Sequence, residues 1–511
     1  MQNLPIGIQE FSEIRNTNRL YIDKTAIIYE LITSGKYYFL SRPRRFGKSL
    51  LVNTLKEIFL GNQHYFKGLW IADKIEWEAY PIIKFDFTKI SYRHQSLNEG
   101  INKYLKEVAE SQEIQLQTED NKEIFIQLIQ DLFKKHQKQV VILIDEYDKP
   151  IIDYLENPEQ AEENRDELKN LYSVIKGSDA YIKFFFMTGV SKFSKVGIFS
   201  DLNNISDITT TPAYATLLGY TQEELEFYFA ERLTTLTDYF KKDKDTLLAE
   251  IRYRYNGYSW DAKNFVYNPF SVLSFFQHKK FDNYWFATGT PTFLTKLLKK
   301  GFHYEFKNVN AGFNSFDTSN LAKLDYVALL FQTGYLTLKE DIGYEMFRLD
   351  FPNSEVRDAF NQFLLAEYAF QTANQMQPLV FNLFQALKTT NFEEVKLIFN
   401  SLFASIPNDY FLENREKYYH AIVFLTLRLL GYFTQIEINS GRGRLDCVVL
   451  IDDKVFLFEF KLDKSPQEAL AQIKQKNYAA QYQGQHKEIY LIGVNMVSEQ
   501  KEMEDFGVEQ L

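Results

Sequence analysis

Tyr37 to Phe59 reads Y-Y-F-L-S-R-P-R-R-F-G-K-S-L-L-V-N-T-L-K-E-I-F. Tyr37 to Leu40 is a short apolar, aromatic run suited to a buried strand, and Ser49 to Phe59 carries apolar residues at helical spacing. Between them, Ser41 to Ser49 has the make-up of a phosphate-binding loop. Strand, loop and helix in that order put backbone N–H groups and the positive end of a helix dipole around a phosphate. Lys48 can then reach the outer phosphates of a nucleotide, and Ser49 can ligate magnesium. Gly47, Lys48 and Ser49 fit the pattern G-x-x-x-x-G-K-[ST], whereas Arg42 stands where its first glycine is expected. Arg44, Arg45 and Phe46 complete the candidate loop; the two arginines either add phosphate contacts or face solvent.

A second element supports this reading. Val140 to Ile144 (V-V-I-L-I) is a continuous β-branched run typical of a strand covered on both faces, and it ends in Asp145-Glu146. In a nucleotide-hydrolysing site Asp145 would hold magnesium through water while Glu146 polarises the attacking water, so metal binding and general-base work fall to different carboxylates. A further strand, Lys183 to Met187, ends at Thr188-Gly189. Thr188 either senses the terminal phosphate or caps a loop.

The C-terminal part carries a different chemistry. In Phe456 to Leu462 (F-L-F-E-F-K-L) the period of two puts Leu457, Glu459 and Lys461 on one face and the phenylalanines on the other. Leu445 to Ile451 is another strand, and Asp452-Asp453 can fold it back as a hairpin partner, which brings Asp446 to Glu459. Two carboxylates from adjacent strands can bind magnesium, or manganese in its place; the ion activates water, and Lys461 positions the nucleophile or stabilises developing charge. This is D-x(n)-E-x-K chemistry, the logic of a phosphodiester-cutting site. The bland alternative is a half-exposed strand with cross-strand ion pairs. Helices at Asn414 to Leu430 and Ser465 to Ala480, with a last strand at Ile489 to Val494, give the order α-β-β-β-α-β. Arg442 and Arg444, in the cluster Gly441 to Arg444, are candidate nucleic-acid contacts.

With 511 residues the chain exceeds one ordinary core. Its 46 Phe and 33 Tyr supply ample apolar material, so disorder is excluded on composition. The net charge of -10 argues against a nonspecific nucleic-acid coat protein, but a nuclease needs only a local basic channel. A single cysteine, Cys447, rules out an intramolecular disulfide and a Cys-rich zinc site. Met1 to Phe11 lacks the pattern of a signal peptide, and the best apolar run, Ala421 to Leu430, is short and contains Arg428. A cytoplasmic protein with no membrane contact is expected.

Phe39 to Leu51, Leu143 to Pro150 (L-I-D-E-Y-D-K-P) and Met187 to Phe199 resemble the bacterial AAA-ATPase-like family, whose members usually carry a C-terminal PD-(D/E)XK nuclease domain. So do Phe11 to Arg15, Asp23 to Thr25, Tyr255 to Trp260 and Asn268 to Leu273. The resemblance spans nearly the whole chain and implies that R-P-R-R-F-G-K-S is the family's usual phosphate loop. It also implies roles for Glu416, as a third acid near His420, and for Gln472 and Tyr478, which match a family Q-x(n)-Y pattern that orients the lysine or touches the backbone phosphate.

Thr221, with Glu224 three residues on, starts a capped helix of a helical lid, in which Arg232, Arg252 and Arg254 are either arginine sensors or a solvated face. Leu321 to Gln332 suits a helix, and strands at Tyr335 to Glu340 and Glu345 to Phe351 with Ile342-Gly343 between them suggest a winged helix. Such a module either reads DNA or serves as a spacer. The expected architecture is α/β and multidomain. A P-loop NTPase with a parallel sheet spans 1–220 and its lid 221–310; a winged-helix-like and helical linker region spans 311–405; a restriction-endonuclease-like domain spans 406–511. The expected function is ATP binding and hydrolysis coupled to magnesium-dependent cleavage of nucleic acid, with DNA the first candidate; a homo-oligomer is compatible. The rivals are a nucleotide-controlled switch that binds nucleic acid or protein without cutting, and an ATPase for protein assembly.

Overall fold

The computed structural model describes every residue except 193–203, 287–291, 302, 307, 313–315, 317–324, 408–414, 432–434, 442–443, 477–478, 484–487 and 498–501. The chain divides into two compact units, Met1–Phe293 with Phe306–Val356, and Leu294–Glu305 with Arg357–Leu511.

In the first unit the elements that matter are β1 (Tyr37–Ser41), α1 (Lys48–Phe59), β2 (Ile82–Asp86), β3 (Val140–Asp145), β4 (Ile182–Gly189) and β5 (Ser206–Asp207). The strands form one parallel sheet in the order β2-β3-β4-β1-β5. Alternate residues of β3 serve opposite faces. Val141 and Leu143 join Leu51, Val52 and Leu55 of α1, while Ile142 and Ile144 pack with the helices Leu97–Ser111 and Asn121–His136. Covering on both faces is why these strands read as continuous apolar runs. It leaves the strand C-termini as the edge where polar groups can gather.

The segment expected to form the lid includes α2 (Gln222–Tyr228), α3 (Lys244–Tyr255) and α4 (Pro269–His278), besides the helix Ala230–Phe240. Thr221 and Glu224 form the expected reciprocal cap of α2. Glu224 also receives the Lys24 ammonium at 2.6 Å, which ties the N-terminal segment to the lid. Beneath that ion pair Leu225, Phe229, Ile251 and Phe275 share one core with Leu4, Leu20 and Ile22.

The middle of the chain differs in detail from the sequence expectation. It contains β6 (Val309–Gly312), α5 (Tyr326–Thr333), β7 (Thr337–Gly343) and β8 (Met346–Asp350), with the strands in antiparallel order β6-β8-β7. The helix begins at Tyr326 because the Asp325 carboxylate caps it, accepting from the Val327 and Ala328 amides. The hairpin turns at Tyr344-Glu345, both in the left-handed region (φ 54° and 59°), whereas Gly343 stays in the ladder opposite Met346. Two consecutive left-handed residues match the twist of the flanking strands.

The second unit contains α6 (Phe392–Ala404), α7 (Arg415–Leu430), β9 (Gln435–Gly441), β10 (Arg444–Ile451), β11 (Lys454–Leu462), α8 (Pro466–Gln475), β12 (Glu488–Val497) and β13 (Glu502–Gln510). The sheet order is β13-β12-β11-β10-β9, with only β11 and β12 parallel, joined across α8. Val455 and Leu457 face Leu470 and Ile473 of α8, while Phe456 and Phe460 meet Phe392 and Phe399 of α6 on the other side. α8 lies low on the sheet because β12 has Gly493 beneath it: a Cβ there would come 2.4 Å from the Pro466 carbonyl oxygen.

Glu355 is a buried strut of the first unit. It accepts from the Trp285 amide (2.7 Å) and the Ser271 hydroxyl (2.8 Å), and burial pushes its carboxyl up to about 7. A carboxyl raised in the fold contributes stability that is fully present below its ordinary value of 4.5 and lost as the pH rises through about 7. Glu355→Gln keeps the shape and an acceptor but cannot ionise. The melting temperature of the natural chain should therefore fall relative to that of Glu355→Gln across this window; parallel pH profiles would contradict the assignment.

Candidate functional site

The phosphate-loop strand β1 and the acidic strand β3 flank β4, so their C-terminal ends lie roughly 10 Å apart, two strand spacings. Gly47, at φ 92°, turns the chain into α1. The Lys48 ammonium is buried and donates to the carbonyl oxygens of Arg42 (3.0 Å) and Pro43 (3.1 Å), inside its own loop. Burial lowers its pKa, against the opposing charges of Glu146, Asp145 and Asp148. Asp145 is also buried, and its Oδ1 has no hydrogen-bond partner. Burial raises this carboxyl, while a hydrogen bond from Ser49 and the Lys48 charge pull the other way. A buried carboxylate oxygen without a donor is costly, and a magnesium ion held with the Ser49 hydroxyl would complete it. The donor set fits that metal.

Glu146 follows in the left-handed region at φ 52°, a conformation costing a non-glycine residue ~1–2 kcal/mol. The turn is pinned from both sides. The Tyr147 amide bonds to the Thr188 carbonyl at 3.2 Å, and the buried Asp148 carboxylate accepts from the Val190 and Ser191 amides at 3.0 and 2.5 Å. Burial pushes Asp148 up to about 6. Thr188 is fully buried and donates its hydroxyl to the Leu40 carbonyl at 2.8 Å, bridging β4 to β1.

Arg42 explains the loop's departure from the common pattern. Its guanidinium is fully buried, donates to the Ser41, Thr209 and Tyr214 carbonyls, and lies 3.9 Å from the Trp260 ring centroid. Burial lowers it to about 9, against the attraction of Asp207 and Asp261. Phe46 is buried edge-on against Tyr258 and Trp260, and the Trp285 indole donates to the Arg44 carbonyl. The side chains of Arg44 and Arg45 are exposed, with the Arg45 guanidinium 4.9 Å from the Phe270 ring centroid. Tyr258, Trp260 and Trp285 thus hold the loop through aromatic rings. Beside Gly47 opens a small apolar cleft lined by Leu20, Ile22, Phe46, Leu50, Leu218 and Tyr220. The three lid arginines have local partners: Arg232 bonds to the Gln2 carbonyl, Arg252 to the Gln222 side chain and Arg254 to the Asn283 side chain.

In the second unit the β10–β11 register sets Asp446 directly opposite Glu459, with Asp452 turning the hairpin at φ 53°. Glu459 is fully buried, and Lys461 donates to its Oε1 at 2.7 Å. The Lys476 ammonium, just past α8, stands 3.5 Å from Oε2. Sequence reasoning missed Lys476, since only the docking of α8 brings it over β11. Half-buried Gln472 lies one helical turn earlier. Arg442 and Tyr478 lie outside the described residues, as do the side chains of Glu416, Arg444 and Asp446. His420 contacts the Tyr304 hydroxyl at 3.1 Å through Nδ1, and Cys447 is buried.

Residues 5–199 match the model of the predicted AAA-ATPase family, and residues 414–506 match that of the PD-(D/E)XK nuclease superfamily. The chain is also similar, at 40% identity over 524 residues, to an uncharacterized protein in the vnfD 5′ region of Azotobacter chroococcum mcd 1, covering 100% of this chain and 99% of that protein. The chain belongs to the AAA-ATPase-like family. No solved structure matches it. In this AAA-ATPase-like chain the N-terminal motifs serve as fasteners. Arg15 donates to the Tyr65 and Lys67 carbonyls, and the Asp23 carboxylate takes the Thr25 and Trp70 amides. Among the described residues no helix is long and apolar enough to cross a membrane.

Arg42→Ala should lower unfolding stability by about 2–4 kcal/mol, because three carbonyls lose a buried donor and Trp260 loses its cover. Arg42→Lys should recover only part, since an ammonium cannot reproduce the planar fork. Urea unfolding checks both, and an alanine variant as stable as the natural chain would refute the strut.

Proposed function

We propose that this protein binds and hydrolyses ATP and couples that cycle to metal-dependent cleavage of nucleic-acid phosphodiesters, with DNA the first candidate substrate. The observation that carries the cleavage half is the buried Glu459, held by Lys461 and registered opposite Asp446. The ATP half rests on buried Lys48, at the start of α1, and buried Asp145, at the end of β3, on the same edge of the sheet.

In this reading Lys48 binds the outer phosphates, and Ser49 and Asp145 hold magnesium. Glu146, held off the strand axis by its left-handed turn, orients the attacking water. The Arg42 strut and the rings on Phe46 carry a change in the loop into the lid. At the second site Asp446 and Glu459, with Glu416 as a third acid, hold the divalent ion. That ion supplies activation of water and screening of phosphate charge. Lys461 orients the nucleophile, Gln472 and Tyr478 steady it against the substrate backbone, and Arg442 and Arg444 supply local positive charge. The exposed part of the β7–β8 hairpin carries Glu340, Asp341 and Glu345, which suits a protein contact or spacer better than DNA reading.

Lys48→Ala should weaken ATP binding by roughly tenfold or more, and Glu146→Gln should bind ATP yet turn it over far more slowly. Asp446→Ala should abolish cleavage and leave ATP turnover largely intact. Nucleotide titration, phosphate release and gel-based cleavage read these out. Unchanged turnover in both ATP-site variants would overturn the ATPase assignment, and full cleavage by Asp446→Ala the cleavage site.

A further inference from the structure

The three arginines of the phosphate loop meet three different surroundings. Arg42 is buried, and its guanidinium is committed to backbone carbonyls and the Trp260 ring. Arg45 sits at φ 67°, with its guanidinium over the Phe270 ring at 4.9 Å. Arg44 differs from both. Its carbonyl accepts from the Trp285 indole at 3.0 Å, and the Pro43 before it packs so closely on Gly334 that a Cβ there would come 2.7 Å from the proline ring. The backbone at Arg44 is therefore fixed from two sides. Its guanidinium is exposed and, among the described residues, has neither an ion pair nor a hydrogen bond. It also stands beside the phosphate-binding lysine: the Lys48 ammonium is 3.1 Å from the Pro43 carbonyl oxygen, whose carbon is bonded to the Arg44 nitrogen. The two cations are close enough for the Arg44 charge to oppose protonation of Lys48, while Glu146, Asp145 and Asp148 attract that lysine from the acidic strand end. None of these three carboxylates comes within ion-pair distance of Arg44. A planar cation on a fixed backbone, left uncommitted beside this lysine, is a preorganised donor for the outer oxygens of a nucleotide.

We propose that Arg44 is a catalytic residue of the ATP site, its guanidinium hydrogen-bonded to the terminal phosphoryl oxygens, so that the chain supplies its own transition-state arginine and needs none from a second chain. The inference rests on the ATP-hydrolysis reading above. In that reaction the oxygen of water bonds to the terminal phosphorus as the bond from phosphorus to the bridging oxygen breaks. ADP leaves with the electron pair, and the proton of the water passes by way of Glu146 to solvent. Arg44 takes no part in the proton transfer. It binds the outer oxygens more strongly as charge spreads onto them, so its removal slows turnover far more than it weakens ATP binding. Arg42 and Arg45 have no such role, the first because it is buried under Trp260 and the second because it lies over Phe270.

The test uses the full chain as Arg44→Ala, Arg44→Lys and Arg45→Ala, with phosphate release measured at saturating ATP and magnesium and ATP binding titrated separately. Arg44→Ala should lower kcat about a hundredfold or more while the Kd for ATP changes by less than about threefold. Arg44→Lys should recover part of the turnover, since an ammonium keeps the charge without the planar fork. Arg45→Ala should stay within about threefold of the natural chain. Mixing Arg44→Ala with Lys48→Ala, which keeps Arg44 but binds ATP poorly, should restore nothing. Unchanged kcat in Arg44→Ala would overturn the proposal, as would a fall in ATP affinity as large as the fall in turnover, because Arg44 would then contact the phosphate equally before and during reaction. An equal loss in Arg45→Ala would overturn the choice of Arg44, and turnover regained on mixing would overturn its supply within one chain. If the natural chain releases no phosphate from ATP, the hydrolysis reading itself fails and the proposal falls with it, a result distinct from the others.

Discussion

Charge buried at the ends of covered strands is the constraint around which both units are arranged. A carboxylate or ammonium withdrawn from water needs a counter-charge, a hydrogen-bond partner or an incoming ion. At the phosphate loop, Lys48 is held by two loop carbonyls and by the field of Asp145, Glu146 and Asp148, while Asp145 keeps one oxygen without a donor. At the hairpin, Glu459 is held between two lysines. At the phosphate loop the chain itself satisfies Asp145 only in part. The oxygen left without a donor there is a place where a divalent ion would fit.

The loop that departs from the common glycine pattern has exchanged backbone freedom for a fastening. Where glycine would leave the chain unencumbered, Arg42 spans to the Thr209 and Tyr214 carbonyls and under the Trp260 ring. Phe46 adds its own contacts to Tyr258 and Trp260. The loop is therefore joined to the segment that carries Tyr258 and Trp260. Further ties of this kind run through the first unit. Asp148 ties the acidic turn to the loop after β4, and Lys24 ties the N-terminal segment to α2.

Much of this was legible in the sequence where period and local chemistry coincide. The runs at Tyr37–Ser41 and Val140–Asp145 read as covered strands because neither face is left to water. The Asp446–Glu459 juxtaposition followed from alternation and a turn at Asp452-Asp453. What stayed hidden depends on tertiary approach. Lys476 belongs to the hairpin only because α8 docks low on β12, and the burial of Arg42 depends on Trp260, more than two hundred residues away. β13 was missed because E-M-E-D-F-G-V-E-Q is acidic and lacks a clean alternation, and it is held as a strand by pairing with the wholly apolar centre of β12. The β7–β8 turn falls just past the expected Ile342-Gly343, because Gly343, itself at φ 84°, still pairs with Met346 and leaves the turn to Tyr344 and Glu345.

The most direct test of the account is cleavage of a mixed panel of labelled DNA and RNA, with magnesium or manganese and with or without ATP, comparing the natural chain with Glu459→Ala. The account predicts metal-dependent cutting that responds to ATP and disappears in the variant. Equal cleavage by both proteins, or none on any substrate, would contradict it.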